Sequence, residues 1–414
     1  MHDRLELQIA RFNEIDKYRG VQEIDVETIA RQLIAIDSVT SAPNAQVSAF
    51  LTRTLAELGF DVAELPYVDS QGTQKIALAA KREPAGASPA SASAASAASV
   101  AAPGIGFFCH SDVVSVDGWD CPHGGPFSGV VADGRMWGRG ACDMKGPIAA
   151  ALVAVAQTDA GRQRAPIYFF VTGDEECGMA GARLLTERST SYREMVERRV
   201  PGLICEPTSL QVVNAHKGGC HLDVTSHGVA AHSSTAEGRN ANWAMIPFLH
   251  FVEQLNARCH SDSRLQNSRF SPPTLTMNIV LENIPQSSNI TVAKATCRIF
   301  FRPMPDTDWQ SVLKELVATA EQMELGVNLK PPLGPLNTPA DSPLVQTALE
   351  LLGQTQPHAV SYATDGCCFE ELSELVVIGP GNIAQAHRSD EWIELDQLHR
   401  GVHAYQRLLE HYVG

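Results

Sequence analysis

The sequence contains no Cys-x-x-Cys pair, although ten cysteines are scattered through its 414 residues. This pattern is typical of reduced thiols and argues against a disulfide framework and against a cysteine-based structural zinc site. No apolar run approaches the roughly 18 residues that a membrane-spanning helix needs. The N-terminal segment is charged and amphipathic and lacks the apolar core of a secretory signal. We therefore expect a cytoplasmic protein that does not interact with a membrane.

Basic residues are also scarce. The chain has 32 Lys and Arg against 47 Asp and Glu, which gives a formal net charge of −15. This excess of acidic groups argues against a nucleic-acid-binding surface and favours small cationic or zwitterionic ligands. A chain of this length exceeds what one hydrophobic core usually serves, so two domains are expected.

Short apolar runs alternate with helical patterns in the two outer parts of the chain. This alternation predicts an α/β fold in which a mostly parallel sheet is flanked by helices. The predicted strands are Gly104–Cys109, Ile167–Thr172, Gly202–Cys205 and Leu375–Ile378, and the predicted helices are Val26–Ala35, Ala45–Leu58, Lys145–Gln157 and Asp396–Tyr412. The Ala/Ser-rich segment 85–103 cannot form a packed core and is predicted to be a flexible loop.

The middle of the chain follows a different order of elements. It reads strand, helix, strand, strand, helix, strand, which is the ferredoxin-like pattern β-α-β-β-α-β. The predicted elements are the strands His221–Ser226, Leu275–Leu281, Thr296–Phe301 and Val327–Leu329, and the helices Asn242–Cys259 and Asp308–Met323. We therefore predict a catalytic domain made of residues 1–214 and 331–414, interrupted by an inserted domain at residues 215–330.

Carboxylate and imidazole side chains follow the predicted strands of the outer parts. They are His110, Asp112, Asp143, Glu175, Glu176, Glu206 and His387. Any one of them alone would be interpreted as a helix cap or a surface residue. Because the carboxyl ends of parallel strands meet at one edge of a sheet, we expect all of them to lie close together. Their convergence from five separate segments favours a metal centre.

The types of ligand narrow the choice of metal. Two histidines with three carboxylates and no thiolate suit zinc, or a similar ion such as cobalt or manganese. One catalytic zinc uses about three protein ligands, so five groups can serve two ions if one carboxylate bridges them. Asp143 is the natural bridge, since it lies between a tight turn and a helix start. Of the adjacent Glu175 and Glu176, one can bind metal while the other transfers protons, and Asp112 can accept the second ring N–H of His110.

The motifs around these residues resemble those of the M20 metallopeptidases, and among them the acetylornithine deacetylases. In the family's order, the matching stretches are HSDVV (His110–Val114), GRGACDMKG (Gly138–Gly146), GDEECGMAGAR (Gly173–Arg183), CEPTSL (Cys205–Leu210), AHKGG (Ala215–Gly219), AHSS (Ala231–Ser234) and GPGNIAQAH followed by DEW (Gly379–Trp392). The resemblance therefore covers nearly the whole chain.

The resemblance implies a role for each candidate residue. One Zn²⁺ would bind His110, Asp143 and Glu206. A second Zn²⁺ in the same subunit would bind Asp143, Glu176 and His387, with Co²⁺ or Mn²⁺ as possible substitutes. Glu175 would be the general base. The inserted domain would be a lid that mediates a homodimer, in which His232 stabilises the oxyanion and Asn289 and Arg302 hold the substrate carboxylate.

The resemblance also implies a reaction, the hydrolysis of N2-acetyl-L-ornithine to L-ornithine and acetate in arginine biosynthesis. The chain departs from the family at Phe301, at Asn283–Gln286 and at Tyr362–Gly366, where the substrate would be held. Other M20 activities therefore stay open: N-acetylcitrulline deacetylase, succinyl-diaminopimelate desuccinylase, dipeptidase or carboxypeptidase. A metal-free binding protein on the same fold is a further alternative, and the presence of all five ligands and Glu175 counts against it.

Overall fold

The computed structural model describes residues 25–85 and 103–414, which form two compact units. The first unit comprises the described residues up to Gln211 together with Thr347–Gln354 and Leu372–Gly414, and the second comprises Val212–Gln346 and Thr355–Glu371. The loop predicted at 85–103 lies outside the described residues except for its two end residues. Within the described ranges, no helix has the length and apolar character needed to cross a bilayer.

The helices and strands are close to those predicted from apolar periodicity. The helices are α1 (Val26–Ile34), α2 (Ala45–Glu57), α3 (Lys145–Gln157), α4 (Ala180–Arg188), α5 (Thr190–Arg198), α6 (Asn242–Ser261), α7 (Trp309–Gln322), α8 (Pro343–Leu352) and α9 (Leu395–Val413). The strands are β1 (Asp61–Val68), β2 (Gln74–Arg82), β3 (Ile105–His110), β4 (Val130–Ala132), β5 (Arg135–Trp137), β6 (Ile167–Thr172), β7 (Gly202–Ile204), β8 (Val213–His216), β9 (Cys220–His227), β10 (Met277–Ile284), β11 (Lys294–Phe301), β12 (Gly326–Leu329), β13 (Leu336–Asn337), β14 (His358–Val360), β15 (Leu375–Val377) and β16 (Trp392–Glu394).

Six strands of the first unit pair in the order β1-β2-β6-β3-β7-β15. Strands β6, β3, β7 and β15 run parallel to one another. Strand β2 pairs with β6 in antiparallel orientation, and β1 pairs with β2 in the same way. Every residue of β3 and β6 is buried, and their aromatic side chains stack, with ring centroids 5.8 Å apart for Phe107 and Phe169 and 4.8 Å apart for Phe108 and Phe170. Continuous apolar sequence is what a strand buried on both faces requires. The α/β fold class is therefore confirmed.

Helix α3 connects this sheet to the other helices of the first unit. It packs against α1 and α9, and its residues Lys145–Val155 are all buried. An apolar sequence on all sides of a helix is typical of such a fully buried position. A separate antiparallel sheet, ordered β16-β5-β4, joins the two strands that precede α3 in the chain to the strand that precedes α9. The apolar runs did not predict this small sheet, because its strands have only three residues each.

The second unit contains an antiparallel sheet in the order β10-β11-β9-β12. Helices α6 and α7 pack on each other and on this sheet, around a core that includes Val224, Phe248, Ile299 and Leu316. Along the chain the elements follow the predicted order β-α-β-β-α-β. In the same unit, β8 pairs with β13 in antiparallel and with β14 in parallel orientation.

Candidate metal centre

Five of the predicted site residues converge in the first unit, in two groups that share Asp143. His110 is the last residue of β3, Asp143 precedes α3, and Glu206 follows β7. Glu176 comes after β6, and His387 comes after β15. The five side chains thus follow different elements and meet at the carboxyl ends of the parallel strands, where such sheets place their ligands.

The first group is His110, Asp143 and Glu206. His110 Nε2 lies 3.0 Å from Asp143 Oδ1 and 3.3 Å from Glu206 Oε1. All three side chains are buried. An imidazole nitrogen and two carboxylate oxygens that face one another in this way form a compact set of donors for one cation.

The second group is Asp143, Glu176 and His387. His387 Nε2 lies 2.9 Å from Glu176 Oε2 and 3.6 Å from Asp143 Oδ2. Asp143 therefore turns one oxygen towards each histidine. A carboxylate with its two oxygens in different groups has the geometry of a bridging ligand between two cations.

The turn that carries Asp143 depends on a glycine. Gly140 has a φ of +81°, and a Cβ at this position would lie 2.7 Å from Val113 Cγ1. A side chain would therefore be both strained and crowded here. The glycine allows the chain to turn tightly between β5 and α3, so that Asp143 points to the edge of the sheet.

The tautomer of His110 follows from its partners. His110 Nδ1 lies 3.0 Å from the backbone carbonyl of Asp112, which can only accept a hydrogen bond. Nδ1 therefore carries a proton in either form of the ring, and in the neutral ring the Nε2 lone pair is available to a cation shared with Asp143 and Glu206. A carbonyl or carboxylate in this position is the usual outer partner of a metal-binding histidine. The Asp112 carboxylate itself is 3.5 Å from Nδ1, so the backbone of Asp112 makes the shorter contact.

The Asp112 carboxylate holds the loop after β6. Its oxygens accept hydrogen bonds from the backbone N–H groups of Glu175, at 3.2 Å, and Glu176, at 3.3 Å. Asp174 fixes the other side of this loop by accepting from Tyr67 Oη and from the N–H groups of Ala180 and Gly181. The loop is thus anchored on both sides of Glu175, whose side chain is half-buried.

Burial and mutual repulsion shift the titration of the carboxylates. Burial, followed by the charge of Asp143, raises the pKa of Glu206 to about 7. The same two causes raise the pKa of Glu176, against the opposing hydrogen bond with His387. Burial by itself lowers the pKa of His110, but Glu206, Asp112 and Asp143 outweigh it, and the pKa ends well above its ordinary value. Carboxylates in such a cluster are destabilised unless positive charge is added.

The donor set fits a pair of divalent cations. Glu176 Oε1 is buried and has no hydrogen-bond partner within the part of the chain that the structure describes, which is costly unless a ligand completes its shell. Three carboxylates and two imidazoles, with no thiolate, are ligands that zinc and similar ions accept. The two groups of ligands can therefore hold two cations that share Asp143.

The sequence motifs did not reveal the role of Glu391. This side chain is only 1% exposed, and it ion-pairs with Arg139 and accepts hydrogen bonds from the turn that carries Asp143. Its only signal in the sequence was its place in the DEW motif, four residues after His387. A buried carboxylate cannot be distinguished from a surface one by its local sequence.

The remaining predicted residues lie in the second unit. Asn289 and His232 are on neighbouring segments, since the Ser233 N–H donates to the Asn289 carbonyl at 3.0 Å. His232 Nδ1 accepts from the Ser234 N–H at 3.3 Å, which leaves the proton of the neutral ring on Nε2. Arg302 directly follows β11, and its guanidinium lies 4.7 Å from the Phe300 ring centroid.

Both the sequence and the fold resemble those of known M20 proteins. The sequence profile of the peptidase family M20/M25/M40 matches residues 106–411. Acetylornithine deacetylase of Myxococcus xanthus is 28% identical over 392 residues, covering 92% of this chain and 96% of the relative. Acetylornithine deacetylase of Salmonella paratyphi B is 30% identical over 380 residues, covering 88% and 92%. An M20 family metallo-carboxypeptidase of Sulfolobus solfataricus has a similar fold, with a TM-score of 0.70, 17% identity and coverage of 94% and 99%.

Proposed function

This chain belongs to peptidase family M20/M25/M40, and from that premise we propose that it hydrolyses N2-acetyl-L-ornithine to L-ornithine and acetate. The observation that carries the proposal is the position of Asp143, whose two oxygens face two separate histidine–carboxylate groups. A bridging carboxylate of this kind is the core of a two-metal hydrolytic site.

The metal pair would be held by His110, Asp143 and Glu206 on one side and by Asp143, Glu176 and His387 on the other. Zinc is the ion that best suits this set of imidazoles and carboxylates, and Co²⁺ or Mn²⁺ would substitute. When bound, two divalent cations lower the pKa of water and polarise an amide carbonyl.

Glu175 is proposed to move the proton. As a carboxylate it removes a proton from the attacking water, whose oxygen forms a bond with the acetyl carbon. The C–N bond then breaks, and Glu175 gives the same proton to the departing nitrogen. The second proton of the water passes from the new carboxyl group to the amine, so acetate and the ammonium form of the amine result. The Asp112 carboxylate supports this role, because it holds the backbone N–H of Glu175.

Three residues of the second unit are proposed to bind the substrate. His232 would donate from Nε2 to the developing oxyanion, which agrees with the acceptor role of its Nδ1. Arg302 and Asn289 would hold the α-carboxylate, for which the planar fork of an arginine is well suited. In this proposal residues 215–330 form the lid, and residues 1–214 and 331–414 form the catalytic domain.

Acetylornithine is proposed as the substrate because the two acetylornithine deacetylases align over about nine-tenths of this chain. The formal charge of −15 also favours a ligand with a cationic side chain. The step would belong to arginine biosynthesis in the cytoplasm.

The substrate proposal is tested with the purified, zinc-loaded protein and a panel of amides. We expect the highest kcat/KM with N2-acetylornithine and lower values with N-acetylcitrulline, succinyl-diaminopimelate and dipeptides. A higher kcat/KM with any of the other three would replace acetylornithine by that substrate. Absence of turnover with all four, together with less than one metal per chain, would favour a non-catalytic binding protein.

We also propose that a second copy of this chain covers the outer edge of β10. This strand is at the end of its sheet, and its apolar residues Val280 and Leu281 are 51% and 56% exposed. An apolar edge strand of this kind pairs readily with another strand, and two copies would satisfy each other.

Sedimentation of Val280→Lys tests this interface. We expect the parent to be a dimer and this variant to be a monomer, because a lysine on each copy would place like charges in the interface. Val131→Lys, at an exposed position of β4, is the control and should remain a dimer. A dimeric Val280→Lys variant would rule out pairing through β10.

A further inference from the structure

We propose that Glu391 is a positioning residue that fixes the bridging carboxylate of Asp143 and joins it to the segment that carries His387. This inference rests on the proposed two-metal function. Glu391 contacts the backbone N–H groups of the turn that carries Asp143, and it would act through that backbone.

The contacts of Glu391 explain how it would act. Oε1 accepts hydrogen bonds from the N–H groups of Cys142, at 2.9 Å, and Asp143, at 3.0 Å. Oε2 accepts from the N–H of Gly140, at 3.0 Å, and from Arg139 Nη1, at 2.8 Å. All four partners are donors, so the site accommodates an ionised carboxylate and satisfies both of its oxygens. The turn from residue 139 to residue 143 is thus wrapped around one side chain.

The same residue also connects two ligand-bearing segments. The Glu391 carbonyl accepts from the Gly138 N–H at 3.0 Å, and the next residue, Trp392, pairs with Trp137 in the small antiparallel sheet. Further along the turn, Cys142 Sγ donates to the Asn382 carbonyl at 3.3 Å. Contacts on both sides of His387 along the chain therefore join segment 382–394 to segment 135–143. We expect a shift of either segment to move both Asp143 and His387.

The ion pair between Glu391 and Arg139 is shielded from water. Both side chains are almost fully buried, and the Arg139 guanidinium lies 5.4 Å from the Trp119 ring centroid. Charge-assisted hydrogen bonds at such a site are stronger and more directional than neutral ones. An outer partner with this many contacts is expected to change metal affinity about 10–100-fold when it is replaced.

Glu391→Gln tests the proposal. The amide NH₂ would face two N–H donors in either orientation, so two of the four hydrogen bonds would be lost without a change in size. The test titrates the chelator-treated full chain with Co²⁺ and follows visible absorption and heat. We expect the dissociation constant of at least one of the two ions to rise about 10–100-fold and the Co²⁺ spectrum to change. Glu394→Gln, at an exposed position of β16, is the matched control and should bind Co²⁺ like the parent.

The result has clear alternatives. A Glu391→Gln variant that binds both ions like the parent would overturn the proposal, even if its metal-free form melts at a lower temperature. Glu391→Asp keeps the charge but is one methylene shorter, and we expect it to weaken binding less than Glu391→Gln. If neither variant yields a folded chain, Glu391 serves the fold alone and the proposal fails. If the parent itself binds fewer than two ions, the two-metal function fails first.

Discussion

The two units each contain a cluster of buried ionisable side chains, and the clusters are built in opposite ways. In the second unit, His216 Nδ1 contacts the Lys217 carbonyl at 2.9 Å and Nε2 contacts Thr364 Oγ1 at 2.9 Å. Lys217 Nζ donates to the carbonyls of Pro272, at 3.0 Å, and Thr274, at 2.9 Å. Burial lowers the pKa of His216 to about 4 and that of Lys217 to about 8, so His216 is neutral at pH 7.

In the cluster of the first unit, the ionisable groups are not all paired with neutral hydrogen-bond partners. Its carboxylates Asp143, Glu176 and Glu206 raise one another's energy, and Glu176 Oε1 has no hydrogen-bond partner among residues 25–85 and 103–414. The comparison teaches that burial alone does not mark a functional site. A cluster whose groups pair through neutral hydrogen bonds is explained by the fold, whereas crowded carboxylates with an unpaired oxygen favour a bound cation.

The largest expected effect is a loss of turnover at the first cluster. It tests whether proton transfer and metal binding are carried out by different residues. Glu175→Gln should lower kcat about 10²–10⁴-fold, because a general acid–base contributes that much. Its metal content should equal that of the parent, measured by elemental analysis of the same samples that are assayed. Turnover within tenfold of the parent would remove Glu175 from the proton-transfer role, and loss of metal would make it a ligand.

The next effect is the pH dependence of folding stability. The two clusters are expected to change this stability in opposite directions as the pH rises. The pKa of Glu206 is raised from 4.5 to about 7 in the folded chain, so its contribution to stability is present below pH 4.5 and is lost as the pH rises through 7. The pKa of His216 is lowered from 6.5 to about 4, so its contribution is present above pH 6.5 and is lost as the pH falls through 4. Each follows from the linkage of proton binding to folding.

Urea unfolding of the chelator-treated chain at pH 5 and pH 8 measures the Glu206 contribution. Relative to Glu206→Gln, the parent should lose about 2–3 kcal/mol more between these pH values, because a little under 2 units of the shift from 4.5 to about 7 fall within this range, at 1.36 kcal/mol per unit. The Gln variant still contains His216, so the His216 contribution cancels in the difference, which reports Glu206 together with the neighbours whose titration it shifts. Equal losses in the two proteins would contradict the assignment.

A smaller effect is expected from the second cluster. Thr364→Val removes the hydroxyl that contacts His216 Nε2 and that accepts from the Gly366 N–H at 3.0 Å. Leaving these buried groups unpaired should cost about 1–3 kcal/mol of unfolding free energy. Thr364→Ser keeps the hydroxyl and is the control. Both variants should bind Co²⁺ like the parent, and weakened metal binding in Thr364→Val would break the distinction between the two clusters.

The smallest effect on stability is expected from a solvent-exposed ion pair. Arg258 on α6 forms an ion pair with Glu315 on α7, and both side chains are more than one-third exposed. Glu315→Gln should change the unfolding free energy by less than about 1 kcal/mol, because solvent screens such pairs. Denaturation at low and high salt checks this. A larger loss of unfolding free energy would mean that charged groups contribute strongly to stability even where they are exposed.

Much of the fold followed from local sequence because its physical signals are local. Strand β6 was predicted with the bounds that it has, and helix α3 likewise, since a continuous apolar run and a long apolar helical pattern have few alternatives. Strand β10 was predicted two residues early at its start and three residues early at its end. It is an exposed edge strand, so the alternation of apolar and polar residues that delimits a half-buried strand is absent there.

The sequence by itself determined the strands that form the parallel sheet, the residue types at their ends, and the family. Only the tertiary structure decided that Glu391 contacts the turn of Asp143, while Asp174, two residues before Glu176, accepts from the first N–H groups of α4 and lies outside the two groups of proposed metal ligands. The physical reason is distance along the chain. Apolar periodicity acts over neighbouring residues, whereas the environment of a buried carboxylate is made by segments that are far apart, here by residues 248 positions from each other.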